Sequence, residues 1–418
     1  MKKICIFILN FIISIILVGC SENVEKNNVV AVNVQNSNNN VELYNIYKND
    51  KYILKKYEPE EKIYKGVFIE QTEGNFIEEF EDFTSTSPNI YMYSQRLDES
   101  YPLSWVLNCY SNMKTPFITI LPPENEKELF NKSLMKNVAK DFGSLQIPMF
   151  VSIYPANNYF KNKNEDYIKF IQDAKTYFDL YAPNVVIVWS IDKDFAYSVK
   201  DFYPGDSYVD WIGLDIYEDI NENNKLDIMF KELDFFYKNY SIKKPIFLNI
   251  AISHFGNTSY NYNIDDKIKE LNRYFNDIPS KYKRIKMINY INYDTFKTAS
   301  VNKQNYLVTD NKKILEFYTK VSNNNFFADS VIFANNKREI IQEYKLNCLA
   351  YKINNNFFVD ESYFNINNLQ INDLYLENSI DIDGKKYYNL ENILKTTNIK
   401  VSIDENNKKV LINFKFKK

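Results

Sequence analysis

Acidic residues follow or end several segments of this sequence that have the composition of buried β-strands. They are Glu70, Asp192, Asp215 and Asp294. Asp192 and Asp215 lie at the ends of neighbouring predicted strands, so they are the pair best placed to act together. Two carboxyl groups about 6.5–9.5 Å apart, with water between them, can hydrolyse a glycosidic bond with inversion. The alternative is structural, because acids such as Asp215 and Asp206 often hydrogen-bond the backbone of turns.

Aromatic and amide side chains lie near the ends of the same predicted strands. Aromatic rings can stack on sugars, while acids and amides bind hydroxyl groups. Trp211 is expected to pack in the core instead. Asn158 is expected in a loop, where it either contacts a ligand or only forms the loop. The candidate ligand-binding residues are therefore Trp189, Asp215, Tyr217 and Asn158.

The composition argues against several other classes of function. His254 is the only histidine, so His-based catalytic triads and His-rich metal sites have little support, and we predict neither a metal nor a cofactor. The 51 basic and 54 acidic residues nearly balance, which gives no electrostatic reason to expect a nucleic-acid partner.

Short Val-, Ile- and Phe-rich runs alternate with longer amphipathic segments from about Tyr52 onward. The predicted strands are Gly66–Glu70, Asn89–Tyr93, Pro116–Leu121, Pro148–Tyr154, Val185–Ser190, Asp210–Ile216, Pro245–Ile250 and Lys286–Asn292. The clearest predicted helices are Asn125–Asp141, Glu165–Leu180, Leu226–Tyr240, Asp265–Phe275 and Lys312–Val321. This α/β pattern predicts a (β/α)8 TIM barrel. A doubly wound sheet is disfavoured because no glycine-rich phosphate loop follows the first strand.

The run Tyr203–Tyr217, YPGDSYVDWIGLDIY, resembles a signature of glycoside hydrolase family 26, the β-mannanase-like enzymes. Asn184–Ser190 resembles the fifth strand of that family, and the resemblance extends from about Tyr57 to Asn292. It implies a barrel that acts on polysaccharides. It also implies that Trp189 and Tyr217 lie close to a bound sugar.

The same resemblance indicates that both catalytic carboxylates of the family are replaced. The stretch that matches the fourth strand places Ala156 where the family has its acid/base Glu. Lys244–Ile250, which matches the seventh strand, places Ile250 at the nucleophile. Neither alkyl side chain has a titratable proton or a nucleophilic oxygen. A register error of one residue would substitute Asn249 or Ala251, which also lack a carboxylate.

The N-terminus predicts a lipid anchor on the outer face of a bacterial membrane. Two lysines precede an apolar run that ends Leu-Val-Gly-Cys at Cys20, which resembles a lipoprotein signal. In a lipoprotein Cys20 would be lipidated. The alternative is an ordinary secretory signal, in which this cysteine would have no role. The Asn-rich residues 21–50 are expected to form a tether. We expect Cys109 and Cys348 to be buried and unpaired.

The end of the chain predicts a second, small α+β domain. Residues 380–390, 391–399 and 399–412 have the pattern of a hairpin, a short helix and a hairpin, with a turn at Asp383-Gly384. This order resembles the stalk domain also named for the N-terminal region of copper amine oxidases. The predicted division is signal 1–20, tether 21–50, barrel 51–324 and stalk-like domain 325–418.

Three functional hypotheses follow from the sequence. The first is a lipid-anchored, catalytically degenerate barrel that binds a polysaccharide or cell-envelope glycan. The second is an active β-mannanase-like hydrolase that uses Asp192 and Asp215. The third is an adaptor that binds another envelope protein. The sequence leaves the identity of the glycan and the oligomeric state open.

Overall fold

The structure is a computed structural model. It describes residues 41–69, 76–219, 226–253, 264–297, 303–334, 338–367, 369–376, 379–382, 384–397 and 399–414. The chain divides into two compact units, one of residues 49–344 and one of residues 345–418 together with the chain before residue 49. The predicted signal, Cys20 and residues 21–40 of the predicted tether lie outside the described residues, whereas residues 42–50, also predicted as tether, belong to a β-strand, Glu42–Ile53. The predicted boundary at 324/325 falls within the larger unit.

The larger unit contains a closed barrel of eight parallel strands. They are β2 (Tyr64–Ile69), β3 (Ile90–Arg96), β4 (Thr115–Leu121), β5 (Met149–Ile153), β6 (Val185–Asp192), β7 (Trp211–Asp219), β8 (Ile246–Ser253) and β9 (Ile285–Asn292). Each strand pairs with the next, and β9 pairs with β2. All eight predicted strands are present, and the predicted (β/α)8 fold is confirmed.

Helices connect most of the barrel strands. They are α1 (Phe76–Thr84), α2 (Leu103–Ser111), α3 (Lys132–Gly143), α4 (Asn164–Tyr181), α5 (Leu226–Tyr240), α6 (Ile264–Asn272), α7 (Ile278–Lys281) and α8 (Lys312–Ser322). Between β6 and β7 the described chain has the 3-10 segment Lys193–Asp201 in place of an α-helix. Asn131 begins α3 by accepting hydrogen bonds from the backbone N–H groups of Ser133 and Leu134. All five predicted helices are present, but the one predicted over Asn125–Asp141 begins at Lys132, after a 3-10 turn at Glu126–Glu128.

Side chains of each barrel strand alternate between two apolar layers. On β6, Ile187, Trp189 and Ile191 belong to the outer layer, which packs against the helices. Val186 and Val188 belong to the inner layer, inside the barrel. Because both faces of a barrel strand are buried, the strands read as nearly continuous apolar runs.

Aromatic rings fill the inner layer at the end of the barrel where the strands begin. Trp211 is fully buried there, with its ring centroid 5.4 Å from that of Phe150. Its Nε1 donates to the Lys56 carbonyl oxygen at 2.9 Å. The prediction that Trp211 packs in the core is confirmed. This end of the barrel interior is therefore closed, and the active sites of TIM-barrel enzymes form at the opposite end.

The smaller unit contributes to a seven-stranded sheet. Its strands are β1 (Glu42–Ile53), β10 (Glu339–Ile353), β11 (Asn356–Val359), β12 (Ser379–Ile382), β13 (Lys385–Asn389), β14 (Ile399–Asp404) and β15 (Lys409–Phe414). Their order in the sheet is β12-β13-β11-β10-β1-β15-β14. Three helices accompany them: α9 (Glu361–Asn367), α10 (Asp373–Leu376) and α11 (Leu390–Thr397). The predicted order of hairpin, helix and hairpin is present, with Gly384 at φ +78° in the first turn. The resemblance to a stalk domain stays a prediction.

Both cysteines of the described chain that the sequence singled out are buried and free. Cys109 lies on α2 and Cys348 on β10, in different units. Burial raises the pKa of each thiol, so neither is activated as a nucleophile. Among the described residues no helix is long and apolar enough to cross a membrane.

Candidate functional site

Four polar residues form one row across neighbouring strands on the inner face of the barrel. Asp192 on β6 is in register with Asp215 on β7, Asp215 with Asn249 on β8, and Asn249 with Asn289 on β9. The register continues from Asn289 to Gly66 on β2. We call Asp192, Asp215, Asn249 and Asn289 the polar row. It lies toward the carboxyl ends of the strands, where sites of TIM barrels form.

Hydrogen bonds within this part of the barrel converge on Asp215. Ser190 Oγ donates to Asp215 Oδ2 at 2.7 Å, and Asn249 Nδ2 donates to Asp215 Oδ1 at 2.7 Å. Asn289 Nδ2 in turn donates to Asn249 Oδ1 at 2.8 Å. Both oxygens of Asp215 are therefore held by neighbouring strands. The orientation of both amides follows from the carboxylate, since an ionised carboxylate only accepts hydrogen bonds.

The two carboxyl groups of the row lie in an unfavourable place for negative charge. Burial raises the pKa of Asp215 to about 6, although the Ser190 and Asn249 hydrogen bonds oppose the shift and the Asp192 carboxylate adds to it. Burial also raises the pKa of Asp192, against a hydrogen bond that its Oδ1 accepts from the Asp194 backbone at 2.9 Å. Within the described chain neither carboxylate forms an ion pair with a basic side chain.

Gly66 makes room for the last amide of the row. A Cβ atom built on Gly66 would lie 1.9 Å from Asn289 Oδ1. Any larger residue would therefore displace the Asn289 side chain. Asn289 Oδ1 is buried and has no hydrogen-bond partner, and the same is true of Ser152 Oγ on the inner face of β5. Buried polar atoms of this kind normally have a partner, so these two atoms are exceptions among the polar groups of the barrel interior.

Residues beyond the polar row open toward solvent. Tyr217 follows Asp215 on the inner face of β7, and its side chain is 51% exposed. Ser94, Arg96 and Leu121 are exposed at the ends of β3 and β4, with Arg96 paired to Glu124 at 3.6 Å. We call this end of the barrel the mouth. It combines an exposed aromatic ring with buried polar groups, which is typical of ligand sites.

Trp189 is not at the mouth, in contrast to the expectation from the sequence. It belongs to the outer layer, is 1% exposed, and donates from Nε1 to Tyr167 Oη on α4 at 2.8 Å. The Tyr167 hydroxyl donates onward to the Tyr154 carbonyl oxygen at 2.8 Å. The ring of Trp189 therefore packs between strand and helix, and the expected stacking on a sugar does not fit this position.

Ile250 also faces the helices rather than the barrel interior. It is fully buried in the outer layer, so the inner face of β8 presents Phe247, Asn249, Ala251 and Ser253. The expectation that Ile250 occupies a position facing the site is wrong by one residue, because side chains alternate along a strand. In the described chain the inner faces of β5 and β8 carry no carboxylate.

The remaining candidates lie around the mouth or outside the described residues. Ala156 is buried after β5 and pairs with Ile191: its N–H donates to the Ser190 carbonyl at 2.8 Å. Asn158 is exposed in a 3-10 turn. Asp294 follows β9 and accepts a hydrogen bond from the Phe296 backbone. Glu70 and His254 lie outside the described residues.

Sequence reasoning missed Ser152, Ser190, Asn249, Asn289 and Gly66. Each is a polar residue or a glycine inside an otherwise apolar strand, as in VVIVWSID, IFLNIAIS and IKMINYIN. This interruption was a usable signal, because a polar side chain in a doubly buried strand needs a partner. The strands alone, however, do not say that these side chains meet.

Comparisons with known proteins agree with this architecture. A model of Glycosyl hydrolase family 26 matches residues 169–244, which contain the run Tyr203–Tyr217. An engineered protein of known structure has a TM-score of 0.51 and 11% identity over 73% of this chain and 87% of its own. A double mutant of the Cellulomonas fimi endo-β-1,4-mannanase has a TM-score of 0.50 and 10% identity over 78% of this chain and 88% of its own.

A β-mannanase of the same family from Bacteroides ovatus gives a TM-score of 0.47 and 12% identity over 66% of this chain and 92% of its own. No curated protein matches the chain. At these identities the structural similarity shows the fold alone. The protein therefore has a glycoside-hydrolase-like (β/α)8 barrel, and its central segment resembles family 26.

Proposed function

We propose that this protein binds a polysaccharide or cell-envelope glycan at the mouth of its barrel and does not cleave it. The observation that carries the proposal is the state of Asp215. Both of its oxygens accept hydrogen bonds from neighbouring strands, and it is only 7% exposed. A carboxylate held in this way supports the site and is poorly placed to attack an anomeric carbon.

The absence of acids from two strands supports the same conclusion. A retaining glycosidase needs two carboxyl groups about 5–5.5 Å apart, one to protonate the leaving oxygen and one to attack. In the described chain β5 offers Ser152 to the interior and β8 offers Asn249. Hydroxyl and amide groups bind sugar hydroxyls well but cannot perform this chemistry.

Binding and cleavage are tested together on purified protein that lacks residues 1–20. We expect signal on a glycan array and no release of reducing ends from mannans or mixed-linkage glucans. Tyr217→Ala should weaken the binding, because Tyr217 offers an exposed ring at the mouth. An array without signal would overturn the proposal and would favour the adaptor hypothesis.

Hydrolysis by displaced acids is the second candidate function. Asp192 and Asp215 are in register on adjacent strands, and the pKa of Asp215 is raised to about 6, as a general acid requires. In that case Asp192→Ala/Asp215→Ala would abolish the release of reducing ends, whereas Asp294→Ala, an acid at the same end of the barrel, would not. Such variant-sensitive hydrolysis would exclude the binding-only function.

We also propose that the protein is anchored to the outer face of a bacterial membrane through Cys20. The support is the lipoprotein-like sequence that ends at Cys20. In cells fed a fatty-acid analogue, the full chain should be labelled and should sediment with membranes. Cys20→Ser should remove the label, while Cys5→Ser, within the apolar run, should keep it. Labelling that survives Cys20→Ser would contradict the anchor.

A further inference from the structure

We propose that the outer face of α2 is an interface between two copies of this chain. Four apolar side chains form this face, and we call Leu103, Leu107, Tyr110 and Met113 the α2 face. It lies on the outside of the larger unit, on the helix that connects β3 to β4. An interface at this place is independent of glycan binding at the mouth.

Helix α2 is apolar on two sides. Trp105, Val106 and Cys109 are buried in the outer layer of the barrel. The four residues of the α2 face are turned away from that layer and are, in chain order, 46%, 45%, 60% and 91% exposed. A helix that is apolar all round is normally buried, whereas this one leaves an apolar side in water. That side is therefore expected to be covered by another molecule.

The α2 face also lacks charge. Residues 101–113 contain no Asp, Glu, Lys or Arg, and α2 is the one helix without a charged side chain among the barrel helices described above. Lys114, the next residue, pairs with Glu81 at 2.6 Å, and its side chain is 11% exposed. The cores of protein interfaces are depleted in charge and enriched in Tyr and Met, as this face is.

The absence of charge favours a second copy of the chain as the occupant. When two identical faces meet, residues near the symmetry axis face their own copies, so a charged group there would repel itself. The α2 face contains no such group, and it offers none to an oppositely charged partner. Leu103, Leu107 and Tyr110 are spaced by four and then three residues, which is the spacing with which two helices pack side by side.

The size of the α2 face suits a dimer of modest affinity. Its four side chains expose on the order of 400–500 Å², which is as large as the functional apolar patches of many proteins. A standard interface takes about 800 Å² from each partner. Polar side chains that flank the face, Ser104, Asn108, Ser111 and Asn112, can supply the remainder as a rim. We therefore expect a dissociation constant in the micromolar range.

Met113 holds a backbone conformation that disfavours its own side chain. Its φ is +57°, just after the residue that ends α2, where Gly or Asn is the usual choice. Its side chain is 91% exposed and so contributes little to the packing of a single copy. A flexible thioether adapts well to an apolar partner surface, which gives Met at this position a use in a dimer.

Sedimentation equilibrium of protein lacking residues 1–20, at concentrations around the micromolar range, tests the interface. The wild type should be in equilibrium between monomer and dimer. Leu107→Lys should weaken the dimer by about tenfold or more, because it brings like charges together. Leu180→Lys is the matched control, since Leu180 is an exposed leucine on α4, and it should dimerise as the wild type does. Melting temperatures check that both variants are folded.

A charge exchange tests whether α2 faces α2. Leu107→Lys and Leu107→Glu should each be monomeric alone, and mixing them should restore a dimer, because position 107 lies in the middle of the α2 face and meets its own copy. A wild type that stays monomeric would overturn the inference, and so would a Leu107→Lys variant that dimerises normally. A mixture that stays monomeric would show that the two faces do not meet.

Flotation with vesicles of phosphatidylethanolamine and phosphatidylglycerol distinguishes a lipid surface from a second copy. If the wild type sediments as a monomer but floats with vesicles, and Leu107→Lys does not float, lipid covers the face and the dimer is refuted. Because the glycan array reports on the mouth, its result stands whether or not the dimer forms. The two proposals therefore fail separately.

Discussion

Asp215 combines burial with hydrogen bonds from two other strands. Its oxygens accept from Ser190 and Asn249, and the neighbouring Asp192 carboxylate disfavours its ionisation. Burial raises the pKa of Tyr217 and of Tyr167, and the negative charge of Asp215 adds to both shifts. The carboxyl group is thus a fixed acceptor whose charge is costly to the fold. This cost is a measurable property of a single residue.

Asp215→Asn should therefore stabilise the protein at alkaline pH. The folded pKa of about 6 exceeds the value of 3.8 for an exposed Asp, so the stabilising effect of its protonation is complete below about 3.8 and lost as pH rises through 6. At pH 8 the ionised group carries a penalty on the order of 3 kcal/mol, which an amide avoids. We expect the melting temperature of the variant to exceed that of the wild type at pH 8 and to converge on it at pH 4. Parallel curves across this range would contradict the raised pKa.

At the scale of single elements, alternation along the strand decides what each residue does. Trp189 and Ser190 are adjacent on β6, yet the indole packs against α4 and the hydroxyl binds Asp215. The same rule places Ile250 outside and Asn249 inside on β8. A position one residue along the strand therefore belongs to a different layer of the molecule.

Trp189→Phe should separate packing from binding. The variant loses the hydrogen bond from Nε1 to Tyr167 Oη, which should lower the free energy of unfolding by about 1–3 kcal/mol in urea titrations. Affinity for the glycan should be unchanged. Tyr217→Ala should show the opposite pattern, because its ring is half exposed at the mouth. If Trp189→Phe lost affinity for the glycan without losing stability, the result would show that the indole contacts the ligand.

Gly66 and Asn289 should behave as a coupled pair across β2 and β9. Gly66→Ala places a methyl group where Asn289 Oδ1 now lies and should cost about 1–3 kcal/mol. In the background of Asn289→Ala the same change should cost much less. A double-mutant cycle of unfolding free energies measures the difference. Additive costs would mean that the amide does not occupy this space.

At the scale of the whole molecule, the larger unit is held by a buried ion pair at the closed end of its barrel. Arg284 Nε donates to Glu58 Oε1 at 2.9 Å, and Nη2 donates to Oε2 at 3.1 Å. The guanidinium also lies over the ring of Tyr52, 3.8 Å from its centroid. These contacts tie the segment that precedes the barrel to the start of β9, so they connect residues far apart in sequence.

Glu58→Gln should destabilise the larger unit by about 3–5 kcal/mol, because it leaves the Arg284 charge buried and uncompensated. Glu60→Gln is the matched control. Glu60 forms an exposed pair with Arg338, and its loss should cost less than about 1 kcal/mol. Chemical unfolding of the two variants gives the comparison. If both variants lost similar amounts of unfolding free energy, the buried ion pair would contribute no more to stability than the exposed one.

The sequence alone was sufficient for the eight barrel strands, the five strongest helices and the hairpin–helix–hairpin order of the chain end. It also predicted that Trp211 packs in the core and that Cys109 and Cys348 are buried and free. These features follow from local composition and periodicity. The lipid anchor at Cys20 and any catalytic use of Asp192 and Asp215 stay predictions.

Only the tertiary structure decided which face of each strand looks into the barrel. In a strand buried on both sides, apolar residues occupy both faces, so polarity does not mark the inner one. The family resemblance therefore could not show that Trp189 and Ile250, both expected at the site, lie in the outer layer. For the same reason Ser190, Asp215, Asn249 and Asn289 were not predicted to meet. Closure of the barrel brings four strands side by side, and the register between them aligns Asp192, Asp215, Asn249 and Asn289 in one row.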